Sequence, residues 1–131
     1  MIDDSAVYLE KAAESLAGAE SELANGRYNN CANRAYYACF QAAIAALLRS
    51  GIRTPSPSGH RSHEFVWAQF AGELINRRKL YASDLRDTFE RVHTWREIAD
   101  YRPDRVTQVQ ATRAVRRGNQ LGQAVRTRGE P

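Results

Sequence analysis

The chain has 131 residues, 43% of them apolar, with four prolines and two cysteines. That length fits one domain able to bury roughly two-thirds of its unfolded surface, and the lack of low-complexity runs excludes a largely disordered chain. Nineteen Lys and Arg against 15 Asp and Glu give a net charge of +4, and 17 of the nineteen are Arg.

The charge is unevenly spread. Residues 1–30 hold six acids and two bases, while residues 31–131 hold 17 bases and nine acids. A body rich in guanidinium suits phosphate, because the planar fork pairs two oxygens at once. An ordinary solvated surface with Arg in place of Lys has the same composition, so charge alone does not establish nucleic-acid binding.

Helical spacing runs through the chain in order, with no strand alternation. Residues 3–24 carry Leu9, Ala12, Ala13, Leu16, Ala19 and Leu23 as a one-faced stripe, and Asn25-Gly26 ends it. Residues 27–50 form a second helix, apolar on most sides from Cys31 to Leu48, which belongs at the centre of a bundle. Its longest apolar stretch, Ala35 to Leu48, spans 14 residues and contains Gln41. A bilayer needs roughly 20, so no membrane span is expected.

Residues 51–61 read as a loop with Pro55, Pro57 and Gly59, followed by a third helix from about Ser62 to Asn76. Ser83 has the character of an N-cap for a fourth helix, whose inner face is Leu85, Phe89 and Val92. Pro103 interrupts, and Thr107-Gln-Val-Gln110 has the spacing of a capping box for a fifth helix, frayed from about residue 126. The expectation is a single all-α domain over residues 1–131, a bundle of four to five helices.

No basic, apolar leader is visible after Met-Ile-Asp-Asp-Ser, so a cytoplasmic location is expected. Cys31 and Cys39 are eight residues apart on one helix, about 12 Å along its axis and beyond disulfide reach. No Gly-rich phosphate loop, Gly-x-Ser-x-Gly or His-Glu-x-x-His occurs. His60 and His63 lack a third ligand nearby, so neither a metal nor a cofactor is expected.

Three blocks stand out together. They are Asn33-Arg34-Ala35-Tyr36-Tyr37-Ala38-Cys39-Phe40, then His63 with Val66 and Phe70, then Arg96-Glu97-Ile98-Ala99-Asp100-Tyr101. In this order and spacing the chain resembles the HEPN superfamily, over roughly residues 5 to 125. The branch it is most similar to carries Arg-Ala-Tyr-Tyr-Ala on its second helix and Arg-x-x-Ala-Asp-Tyr on its fourth.

The resemblance implies an up-and-down bundle, a homodimer, and pairing with a minimal nucleotidyltransferase acting as antitoxin. It further implies a metal-independent ribonuclease in those members that carry Arg, four to six residues, then His. There His moves protons between the ribose 2′-OH and the leaving oxygen while Arg steadies the phosphorane.

This sequence departs from that pattern at Tyr101, which stands where the His belongs. A phenol, ordinarily titrating near about pH 10, is a poor base at neutral pH. Arg96 and Tyr101 remain the first tentative catalytic pair. Arg86 and His93, separated by six residues and about 10 Å apart on one helix face, form the second.

Arg34, Tyr37, Arg96 and Asp100 are the candidates for holding RNA or a nucleotide, and Tyr101 is the candidate for modification by the partner enzyme. Each has a structural counterpart. Arg96 can pair with Asp100 at i,i+4 with Tyr101 packed at the helix end, and the Tyr36–Tyr37 pair can be core aromatics. The readings left open are a silent binding partner of a nucleotidyltransferase, an active endoribonuclease, and an interaction module using the acidic first helix. Tyr101 favours the first.

Overall fold

The five stretches of helical spacing each form a helix in the computed structural model, which describes residues 4–53 and 60–128. They are α1 (Asp4–Ala24), α2 (Tyr28–Arg49), α3 (His60–Gln69), α4 (Thr88–Tyr101) and α5 (Gln108–Arg128). No strand occurs among the described residues, so the molecule is an all-α bundle. Among the described residues no helix is long and apolar enough to cross a membrane.

Two of the turns follow from glycine. Gly26 takes φ 74° and Gly51 takes φ 80°, the left-handed geometry that closes a helix C-terminus. Beyond each, the next amide reaches back five residues, Arg27 N to the Glu22 carbonyl and Ile52 N to the Leu47 carbonyl, both at 2.9 Å. α1 and α2 therefore turn back on each other within three linking residues.

α2 is the central helix. Thirteen of its residues are buried, and it touches α1, α3, α4 and α5. Its small side chains let neighbours approach closely. A Cβ built on Gly118 of α5 would lie 3.0 Å from Leu16 Cδ1 of α1 and 3.8 Å from Ala38 Cβ of α2. Gln41, the one amide in the apolar run, lies 2.7 Å from Ser15 Oγ of α1. Cys31 and Cys39 are buried free thiols, and burial pushes them up to about 11 and about 12.

Three local expectations change. α3 begins at His60 and continues as a π-helical segment, Phe70–Arg77, closed by Lys79 at φ 55°. The fourth helix does not start at Ser83. Ser83–Leu85 is a short 3₁₀ turn, and α4 begins at Thr88 after Asp87. The expected loop at 51–61 falls partly on residues 54–59, which lie outside those described, as do 129–131 beyond the end of α5. The capping box forms as the spacing dictates: Thr107 N donates to Gln110 Oε1 at 3.0 Å and Gln110 N to Thr107 Oγ1 at 3.1 Å.

Candidate functional site

Helical repeats on three helices aim polar aromatics at one place. On α2, Asn33 and Tyr37 are four apart, as are Tyr36 and Phe40. On α3, His63 and Trp67 share a face; on α4, Phe89, His93 and Glu97 do the same. Tyr36, Tyr37, His63, Trp67, Arg86, Phe89, His93, Arg96 and Glu97 together line a cleft of about 810 Å³.

Stacked rings pack beneath and around the cleft. Phe40 and the His63 imidazole lie parallel with centroids 4.0 Å apart, and Trp67 stacks on Phe89 at 3.8 Å. Tyr36 meets Trp67 edge-on at 5.5 Å. Its hydroxyl lies 2.7 Å from His63 Nδ1. Burial pushes that hydroxyl up to about 12, so it keeps its proton at neutral pH and can donate it to the imidazole. The Tyr36 ring is fully buried, which matches its reading as a core aromatic.

Arg96 forms the polar wall. Its guanidinium carbon sits 4.7 Å from the Tyr36 centroid, 5.4 Å from Tyr37 and 5.9 Å from Tyr101. Nε donates to Asp100 Oδ2 at 3.3 Å and Nη2 to the Tyr37 hydroxyl at 3.4 Å. Asp100 is held in turn by Asn33 Nδ2 at 2.9 Å, and Arg34 Nη2 donates to Asn33 Oδ1 at 2.7 Å. Burial alone would lower the Arg96 guanidinium. The facing Tyr37, Tyr36 and Tyr101 and the Asp100 carboxylate outweigh it and hold the group above its usual value. Arg96 is thus a fixed cation on an aromatic wall, 18% exposed.

The expected residues do not all converge. Arg96, His93, Arg86 and Tyr37 reach the cleft, and Asp100 joins it through Arg96. Arg34 lies one shell away, exposed beside Glu22 and Asn30. Tyr101 is 73% exposed and does not pack at the helix end. Arg86 is not on the helix of His93. It sits in the turn before α4, donating through Nε to the side-chain Oδ1 of Asn76 at 3.0 Å, although both residues still face the cleft. His93 Nε2 lies 3.5 Å from Glu97 Oε1.

Two cleft residues have no ligand-binding role in the sequence reading: His63 is there only a block marker and half of a metal pair, and Trp67 has no assigned role. Their four-residue spacing, matched by Phe89 and His93, was the available signal. Among the described residues no group of three His, Cys, Asp or Glu is placed to hold a metal ion.

A family model for the HEPN domain matches residues 5–127. The chain belongs to the HEPN family. None of the curated proteins matches it. The match spans the whole HEPN bundle, from the first turns of α1 to the end of α5.

Proposed function

We propose that this HEPN domain holds RNA or a nucleotide in the α2–α3–α4 cleft, as the non-cleaving helical half of a nucleotidyltransferase-paired, toxin–antitoxin-like system. One observation carries the binding part: a fixed guanidinium, Arg96, stands in the wall of a cleft lined by the partly exposed rings of Tyr37, His63 and Trp67. Rings accept a base by stacking, and a guanidinium accepts a phosphate through its fork. The Asp100 hold on Arg96 is a single hydrogen bond at 3.3 Å, which a phosphate can displace. Arg86 adds a second cation, tied only to a neutral amide.

The pairing rests on the Arg34-Ala-Tyr-Tyr-Ala and Arg96-x-x-Ala-Asp-Tyr blocks and their resemblance to that branch of the family. Exposure of Tyr101 suits it to modification: its oxygen would attack the α-phosphorus of ATP, releasing pyrophosphate and the phenolic proton. The absence of a gain in mass after incubation with the neighbouring nucleotidyltransferase, ATP and magnesium would remove that part. The domain is read as a homodimer on the same resemblance, and sedimentation tests it.

Non-cleavage rests on Tyr101, where active members carry His. A cleaving alternative has one observation in its favour, since His63 and His93 share the cleft with Arg86 and Arg96. The deciding experiment titrates AMP against the tryptophan fluorescence, to which Trp67 in the cleft and the buried Trp95 both contribute, and incubates RNA with the protein in EDTA. Quenching that Arg96→Ala weakens by at least about tenfold, with RNA left intact, is the expected result. Cleavage lost in His93→Ala would select the alternative, and no quenching would overturn the binding site.

A further inference from the structure

A second concave surface adjoins the cleft. It lies between α4 and α5, has a volume of about 880 Å³, and presents Arg86, Arg91, Arg113, Arg116 and Arg117. Three carboxylates share it, so five guanidiniums face Asp84, Asp87 and Glu90. Asp87 is already engaged, by Arg117 Nη1 at 2.8 Å and Arg91 Nε at 3.7 Å. Asp84 accepts from Gln120 Nε2 at 3.3 Å. Arg113 and Arg116, one turn apart on α5, are exposed and have no ion pair among the described residues.

The two concavities share a rim. Arg86 and Glu90 line both of them, so α4 separates a ring-lined cleft from an arginine-lined groove. A mononucleotide has no use for the groove, and an acidic peptide has no use for the stacked rings. A strand that offers a base and then successive phosphates uses both, because single-strand binding combines stacking platforms with a cationic track.

We infer that the arginine groove between α4 and α5 is a phosphate track, which carries a single strand onward from a base held against the partly exposed rings of Tyr37 and Trp67, past Arg86 to Arg113 and Arg116. This rests on the nucleotide reading of the cleft and extends it. It gives a function to the arginine cluster of α5, which the cleft leaves unused.

The test compares AMP with labelled oligoadenylates of two, four and eight nucleotides, ribo and deoxy, on the wild type and on the Arg113→Gln/Arg116→Gln double variant. Both substitutions are on exposed helical positions, and circular dichroism checks the fold. For the wild type, affinity should rise at least about tenfold from AMP to the octamer. The double variant should keep its AMP affinity, lose most of that rise, and show a salt slope shallower by about 1.4. Equal gains for the ribo and deoxy series mean that the track reads the phosphodiester chain, and a larger ribo gain adds the 2′-hydroxyl; either supports the inference. AMP binding with no gain in length, or displacement of the octamer by polyglutamate of equal charge, overturns the track and leaves the cleft standing. No binding of any probe overturns both.

Discussion

Tyr36 shows how one residue joins core and site. Its ring is buried among Phe40, Trp67 and His63, while its hydroxyl holds the imidazole in place. Tyr36→Phe keeps the ring and removes that hydrogen bond. Chemical denaturation should show a loss of about 1 kcal/mol, the usual net worth of a buried hydrogen bond. Unchanged stability would mean that the contact is idle. Arg96 separates charge from shape in the same way: Arg96→Lys keeps the cation but loses the planar fork. It should fall between wild type and Arg96→Ala in AMP affinity, and equality with wild type would reduce Arg96 to a point charge. The sequence placed Arg96 and Asp100 together because i,i+4 spacing requires it. Of its two readings of Tyr101 the packed one fails, since nothing in a helix end says whether a neighbour covers the ring.

Elements were legible where local chemistry decides them. The Thr107–Gln110 box and the Gly26 and Gly51 ends were readable, because capping and left-handed backbone are written in two or three residues. Thr107→Ala should cost about 1 kcal/mol of stability, read by thermal or urea unfolding, and no change would mean that Gln110 alone caps the helix. The π-helical end of α3 was not readable. It closes at Lys79, a residue with no special preference for left-handed backbone, so tertiary packing sets it. Ser83 failed as an N-cap for the parallel reason that Leu85 anchors a separate 3₁₀ turn in the core. The start of α4 is instead fastened to α5 by Asp87 and Arg117. The Arg117 hydrogen bond holds the Asp87 carboxyl below its usual value. A folded-state value lowered in this way contributes stability above the ordinary carboxylate pKa, and that contribution disappears as pH falls through the folded value. Asp87 is half-exposed and screened, so Asp87→Asn should cost under about 1 kcal/mol near pH 7 and nothing in strong acid. A cost that persisted in acid would contradict the charge pairing.

At the scale of the molecule, the helix count and the central place of α2 follow from the apolar pattern, whereas the cleft does not. Its walls come from α2, α3 and α4, and only the packed bundle brings His63 and Trp67 opposite His93 and Arg96. Close packing of α5 across α1 and α2 sets the frame. Gly118→Leu, forced against Leu16 and Ala38, should destabilise by about 1–3 kcal/mol in urea unfolding. Charge asymmetry is likewise a property of the whole: the acidic N-terminal stretch leaves the net positive charge to the rest of the chain. The most direct measurement of the ligand site is photocrosslinking of an octanucleotide carrying one 4-thiouridine, followed by mass mapping of the joined peptide. Crosslinks at Tyr37 or Trp67, abolished by excess AMP and weakened in Arg96→Ala, are the expected result. Crosslinks confined to α1, or insensitive to AMP, would contradict the cleft as the place where the base is held.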